Sequence, residues 1–327
     1  MAITPPHHGP YGFRNPHLVH GGRNHARDFL VWQLRLRSPE PPALPVATVP
    51  PYQPKLAAPD LDKIRHPDLK AIQITWVGHD TFLIQAAGCT ILTDPIYSER
   101  ASPVAGLGPR RCAPPGLAWE ALPPIDSVLI SHNHYDHLDR PTLRRLGPGR
   151  RYFVPLGLKK WFGGLGLYQV SEMDWWQSTT FGPIRLTSVP AQHFSMRTPF
   201  DRNRSLWCGW VMETAVGPIY FAGCSGYSPD FQKIGHKFGP MRLSLIPIGC
   251  YRPRWFMKPI HVNPPEAVKI HQDVRSQQSI GIHWGTFKLT DEPMGEPPLY
   301  LNHAMAEAGL PPEKFSVMNL GETRFFF

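Results

Sequence analysis

Ser131-His132-Asn133-His134-Tyr135-Asp136-His137-Leu138-Asp139 stands directly behind an apolar, strand-like stretch, Ser127-Val128-Leu129-Ile130. Three histidines and an aspartate fall between positions 132 and 137. If extended backbone persists past the strand, side chains two apart share a face, so His132 and His134 converge on one point. Where the chain turns towards a helix expected over Asp139 to Leu146, Asp136 and His137 point to a neighbouring one. Neutral imidazole and carboxylate are donors that a borderline ion such as zinc accepts. A lone histidine is more often structural than a ligand, but this density reads as a metal centre.

Such a centre needs further donors from distant parts of the chain, best supplied at strand ends. His193, in Pro190-Ala191-Gln192-His193-Phe194, and His283, in Ser279-Ile280-Gly281-Ile282-His283-Trp284-Gly285, each follow an extended stretch. With them two sets are complete: His132, His134 and His193 for one ion, and Asp136, His137 and His283 for the other.

Around these donors the sequence alternates between strands and helices. Ile72 to Val77 is strand-like, and Thr81 to Gln85 runs through Ala86-Ala87-Gly88 into Cys89 to Leu92, a hairpin signature. Leu206 to Thr214 and Pro218 to Ala222 flank Ala215-Val216-Gly217 in the same outline, which suggests two similar halves. A helix is expected at Pro265 to Gln272 and a strand at Ser279 to Ile282. This pattern, without a long flexible linker, favours one α/β domain over 71–327, with helices outside packed sheets. Residues 1–70 read differently, as a basic arm with thirteen of the prolines and one helix, Asn24 to Arg37. There Phe29, Leu30, Trp32, Leu34 and Leu36 mix with Arg23, Arg27, Arg35 and Arg37. That composition suits an arm packed across the domain or one that contacts a membrane interface.

Composition bounds the rest. A chain of 327 residues, 42% hydrophobic and 18% charged, buries a sizeable core without disulfides. Its 39 prolines are about 12% against a usual level of roughly 5%, which argues against a helical bundle because proline interrupts helices. The formal charge of +9 should attract anions: nucleic acid, acidic lipid or phosphorylated substrate. The aromatics are dispersed and no separate nucleic-acid module is visible, so a nucleic-acid partner is not expected. No stretch approaches the roughly 18 apolar residues that span a bilayer, and the opening MAITPPHHGP lacks a signal-peptide core. The expected location is cytoplasmic, with peripheral membrane contact left open. Cysteines at 89, 112, 208, 224 and 250 are odd in number and scattered, which argues against a secreted disulfide framework.

The H-x-H-x-D-H motif and the ordered downstream histidines resemble the metallo-β-lactamase superfamily. More narrowly, the chain resembles the N-acyl-phosphatidylethanolamine phospholipase D group and its bacterial relatives. That resemblance rests on Trp76-Val-Gly-His-Asp-Thr-Phe-Leu83, Thr93-Asp-Pro-Ile-Tyr-Ser-Glu-Arg-Ala-Ser-Pro103, Ala191-Gln-His-Phe-Ser195, Gly223-Cys-Ser-Gly-Tyr-Ser-Pro-Asp-Phe231 and Ile282-His-Trp-Gly-Thr-Phe287. It extends from about residue 11 to the end. It implies a four-layer αββα sandwich with two zinc ions at the sheet edges, and hydrolysis of the phosphodiester that joins phosphatidic acid to an N-acylethanolamine by a metal-activated water. An anionic phospholipid would then be the substrate, which agrees with the basic balance. In this reading Asp136 orients the water and shuttles its proton. His261 matches a position near the substrate phosphate, where it would assist the leaving group; a loop histidine without a role is the rival. Asp94 would support a metal histidine by accepting its second ring proton, with a turn cap as the rival. His79 either supports the same shell or packs structurally.

One position departs from the resemblance. The loop matching Gly223-Cys224-Ser225-Gly226 normally carries aspartate second, bridging the two metals, and here that residue is Cys224. Either a thiolate ligates or bridges the ions, since zinc accepts sulfur, or an inert cysteine lies beside a single ion. The second zinc therefore depends on Cys224. Two alternatives to the phospholipase reading follow: a lactonase or other phosphodiesterase of the same fold, and a noncatalytic metal- or lipid-binding protein. Oligomeric state is not legible.

Overall fold

Alternation along the strands sorts apolar side chains to two faces, and the computed structural model, which describes residues 4–18, 26–37, 40, 41, 43, 44 and 49–327, is layered accordingly. Its strands are β1 (His8–Gly9), β2 (Gly12–Phe13), β3 (Ile72–Gly78), β4 (Thr81–Ala86), β5 (Cys89–Thr93), β6 (Ser127–Leu129), β7 (Arg151–Pro155), β8 (Val170–Met173), β9 (Ser178–Phe181), β10 (Ile184–Val189), β11 (Gly209–Thr214), β12 (Gly217–Phe221), β13 (Leu243–Pro247), β14 (Ser279–Ile282), β15 (Phe315–Ser316) and β16 (Thr323–Phe326). The helices are α1 (Ala26–Gln33), α2 (Leu61–Arg65), α3 (Arg140–Leu146), α4 (Lys159–Gly163), α5 (Asp230–Phe238), α6 (Arg254–Met257), α7 (Pro264–Asp273) and α8 (Glu296–Glu307).

Two seven-stranded sheets result, ordered β16-β3-β4-β5-β6-β7-β8 and β9-β10-β11-β12-β13-β14-β15. Each runs through three antiparallel pairings and then three parallel ones. The two halves expected from the hairpins are thus alike in topology.

Between the sheets lie Ile72, Ile74, Trp76, Phe82 and Ile84 against Trp210, Met212, Ile219, Phe221, Leu243 and Leu245. The intervening residues face outward. Leu83, Leu92, Val128 and Val154 pack under Ile64 of α2, Leu143 of α3 and Phe162 of α4; Tyr220 and Ile246 pack under Phe231 of α5, Val268 of α7 and Leu301 of α8. Each fully buried side chain of this size stabilises the fold by roughly 1.5–3 kcal/mol, so both faces of both sheets must be covered. The order helix, sheet, sheet, helix is the expected αββα sandwich.

Local signals explain the boundaries. Asn263 caps α7 by accepting from the Glu266 backbone N–H while the Glu266 carboxylate accepts from the Asn263 N–H, a reciprocal capping box. The arm helix is shorter than expected and ends at Gln33, because Arg35 takes a left-handed φ of 53°. The expected Asn24 start, and Arg23 before it, lie outside the described residues. The described arm is tied down: Trp32 stacks near Phe256 of α6 at 5.3 Å, and Tyr52 Oη donates to Gly285 O at 2.7 Å. Among the described residues no helix is long and apolar enough to cross a membrane.

The candidate metal centre

Every donor comes from the same end of the two sheets. The turn between β3 and β4 carries His79 and Asp80, the end of β5 carries Asp94, and the loop after β6 carries residues 131–137. From the second sheet, His193 follows β10, Cys224 follows β12 and His283 follows β14. In α/β sheets, ligands sit beyond the carboxyl ends of parallel strands. Here two such rims face each other.

The loop after β6 tightens into a turn, with the His137 and Leu138 N–H groups donating to His134 O at 3.1 and 2.8 Å. The chain then enters α3 at Arg140, one residue later than expected. His132 Nε2 and His134 Nδ1 approach to 2.9 Å, and His193 Nε2 comes within 3.3 Å of the same His134 nitrogen. His137 Nε2 lies 3.2 Å from His283 Nε2, 3.1 Å from Asp136 Oδ2 and 3.3 Å from Cys224 Sγ. The structure therefore brings together all seven residues in two triads, with the Cys224 sulfur within 4.8 Å of donor atoms on His132 and His193 and also of those on His137 and His283.

Hydrogen bonds behind the rings decide which nitrogens face inward. His137 Nδ1 donates to Asp94 Oδ2 at 2.8 Å, and His193 Nδ1 donates to Ile260 O at 2.8 Å. Ser131 Oγ spends its hydrogen on Asp94 Oδ2 at 2.5 Å and so accepts from His132 Nδ1 at 2.9 Å. Each of these contacts leaves an Nε2 lone pair pointing at the centre, the arrangement a cation requires. Bonds of about 2.0–2.3 Å to a tetrahedral ion put its donors about 3.5 Å apart, close to the spacings found here. The donor set fits a metal.

Electrostatics separate the two sets. Burial, followed by neighbouring rings, holds His132 and His193 well below the ordinary imidazole range, and burial pushes His134 down to about 3. Burial opposes charge on His137 too, but Asp136, Cys224 and Asp94 together raise it well above that range. Asp136 is likewise penalised by burial, and His137, His283 and His79 hold it well below the carboxylate range.

The remaining expected residues are placed as follows. His79 Nε2 donates to Asp136 Oδ2 at 2.9 Å, and its ring lies 4.1 Å from that of His283. Asp94 accepts from His137 and also from the Ser131 N–H at 2.7 Å, so it both orients a ring and holds the loop. The His261 ring lies 5.0 Å from His193 and 5.2 Å from His283, lining the cleft rather than joining either triad.

Three neighbours escape a reading by motif. Ser131 has just been described. Asn15, from the arm, donates to His193 O at 2.8 Å and accepts from the His193 N–H at 3.2 Å. Asp80 is wholly buried beside His137, and burial raises its carboxyl to about 6. The signal for Asp80 was its adjacency to His79; Asn15 gave none.

Backbone strain concentrates here as well. His79, Asp94 and His283 take left-handed φ values of 54°, 31° and 60°, each costing on the order of 1–3 kcal/mol. Gly223, at φ 60°, brings its loop so close to the other half that an added Cβ would lie 2.7 Å from Ser131 Cβ.

A cleft of about 710 Å³ opens onto the centre, reaching His134, Asp136, His137, Cys224, His261 and His283. Its other walls are largely apolar, with Phe29 and Trp32 from the arm and Phe194, Met196, Phe256, Met257, Ile260 and Leu289, and they also carry Arg197, Thr198, Arg202 and Thr290.

Comparison with known proteins gives the same answer as the geometry. Residues 89–284 match the model of the β-lactamase superfamily domain. The chain is 43% identical to N-acyl-phosphatidylethanolamine-hydrolyzing phospholipase D 1 of Caenorhabditis elegans, over 76% of this chain and 74% of that protein. It is 35% identical to the mitochondrial N-acyl-phosphatidylethanolamine-hydrolyzing phospholipase D of Saccharomyces cerevisiae, over 77% of this chain and 55% of that one. The structure of Igni18, a metallo hydrolase from Ignicoccus hospitalis, covers 79% of this chain and 99% of its own with a TM-score of 0.59 at 22% identity, a likeness of fold. With this fold, this donor set and these relatives, the chain belongs to the metallo-β-lactamase superfamily and is a metal-dependent hydrolase.

Proposed function

We propose that this hydrolase cleaves a phosphodiester carried on a lipid, as a phospholipase D does, releasing N-acylethanolamine and phosphatidic acid from N-acyl-phosphatidylethanolamine. The observation that carries the reading is the cleft: a largely apolar channel of about 710 Å³, with Arg197 and Arg202 on its wall, ending on a buried cluster of histidines and carboxylates. An acyl chain gains roughly 0.8 kcal/mol for each methylene it buries against the apolar part of these walls. Similarity to two N-acyl-phosphatidylethanolamine-hydrolyzing phospholipases D points the same way.

In this reading His132, His134 and His193 hold one zinc ion, and Asp136, His137 and His283 hold a second, with Cys224 between them. Bound there, the ions would acidify a water and neutralise charge growing on the phosphate. The protein's own part is to position and exclude. Asp94 and Ser131 fix the rings of His137 and His132. Asp136, whose Oδ2 is held by His79, would orient the attacking water and shuttle its proton. His261 is kept neutral by burial first and by His193 and His283 next, so it can donate a hydrogen bond to a phosphate oxygen or leaving group without first losing a charge. The apolar residues of α1 and its following turn, Phe29, Leu30, Leu34 and Leu36, stay 49 to 67% exposed, with Phe29 on the cleft wall; they would seat the rim in a bilayer surface, helped by Arg27, Arg35 and Arg37.

The test is a substrate panel with zinc-loaded protein: N-acyl-phosphatidylethanolamine in mixed micelles, a short soluble phosphodiester, and a lactone. The expected result is a kcat/KM for the N-acyl phospholipid well above the other two, with both products recovered. Equal or faster turnover of the lactone or the soluble diester would overturn the lipid assignment.

A further inference from the structure

Asp80 is fully buried, and neither of its carboxylate oxygens has a hydrogen-bond partner among the described residues. Its backbone is fixed from two sides: Thr93 Oγ1 donates to Asp80 O at 2.6 Å, and the adjacent His79 N–H donates to Thr286 Oγ1 at 2.7 Å. Asp80 is not the group that orients His137, because His137 Nδ1 already donates to Asp94 at 2.8 Å and Asp80 Oδ2 stands off at 3.6 Å. What one of its oxygens does face, within 4.8 Å, is a ring nitrogen of His137, a ring nitrogen of His283 and the Cys224 sulfur. A buried carboxylate that makes no hydrogen bond is an arrangement that costs stability, which a cation held among these donors would offset.

We infer that Asp80 is a further ligand of the second ion, so that its carboxylate oxygen and the Cys224 sulfur join Asp136, His137 and His283 in one mixed site. The inference rests on the two-ion reading above and extends it. The combination of sulfur, nitrogen and oxygen donors favours zinc or cobalt over magnesium or calcium.

Metal-free protein titrated with Co²⁺ tests this, reading the thiolate-to-cobalt charge-transfer band, with bound zinc measured separately by metal analysis. Asp80→Asn keeps the shape of the side chain and can still accept a hydrogen bond, so an orienting role would survive it in part. Losing an orienting partner costs roughly 10–100-fold in metal affinity; losing a ligand is expected to weaken the second ion by more than roughly 100-fold while the first is retained. Adding Cys224→Asp to Asp80→Asn should recover at least part of that loss by returning a carboxylate to the site. Metal-free Asp80→Asn should still melt cooperatively, which shows that it folds. Two ions bound with wild-type affinity in both proteins would overturn this inference alone. A wild type that binds a single ion, indifferent to Asp80→Asn, would overturn it together with the two-ion reading.

Discussion

In the sheet built from β3–β8 and β16, the donors arrive in one run: five successive residues after Ser131 supply His132, His134 and Asp136, and His137 follows at once. The sheet of β9–β15 repeats the same strand pattern, but its donors come singly, with His193, Cys224 and His283 each at the end of a different strand. The first rim is organised by its own neighbours, Asp94 and Ser131. The second is held by groups from elsewhere: Asn15 of the arm clamps His193, and the Gly223 loop rests on Ser131. One half is a self-contained mount and the other is assembled by tertiary contact.

That contrast can be broken by mutation. The largest effect is expected from His132→Ala, which removes a donor from the continuous run: turnover should fall by more than roughly 1,000-fold, and metal analysis should show the three-histidine ion lost. Wild-type rate and metal content would refute the assignment. Next comes Asp94→Asn, which keeps the shape but weakens the carboxylate behind His137; metal affinity should drop roughly 10–100-fold, measured by competition with a chelator. Gly223→Ala probes the other rim. A methyl forced to within 2.7 Å of Ser131 at φ 60° should cost about 1–3 kcal/mol of stability, visible as a lower urea midpoint, and an unchanged midpoint would mean that the two rims do not meet there.

The smallest effect lies in the outer layer of the second half. Burial, helped by Lys314, lowers His271 to about 4 in the folded protein, against about 6.5 when unfolded. Stability is therefore fully present above about pH 6.5 and is lost as pH falls towards 4, because the unfolded chain takes up the proton first. His271→Gln should flatten that part of a stability-against-pH curve measured by urea unfolding.

The same contrast explains how far the sequence could be read. His132 to His137 were legible because four donors in six positions have no common structural explanation. The hairpins were legible from alternation, and α7 from Asn263 followed by two prolines and Glu266. His193 and His283 needed the premise that donors cluster at strand ends, and Cys224 stood out only because a resemblance gave it something to differ from. Asp80 was not singled out, since a polar residue in a tight turn reads as a turn residue until the fold places it against Cys224. Asn15 lies 178 positions from the histidine it holds, and no local pattern spans that distance. The short end of α1 turned on one left-handed residue, Arg35, which composition does not reveal.

His137 and His283 meet across 146 residues of chain. An ion held by both acts as a cross-link between the halves, closing a loop whose entropy the unfolded chain would otherwise keep. The folded state binds it and the unfolded state does not, so each tenfold rise in free metal above the dissociation constant adds about 1.4 kcal/mol to the resistance of the two sheets to separation.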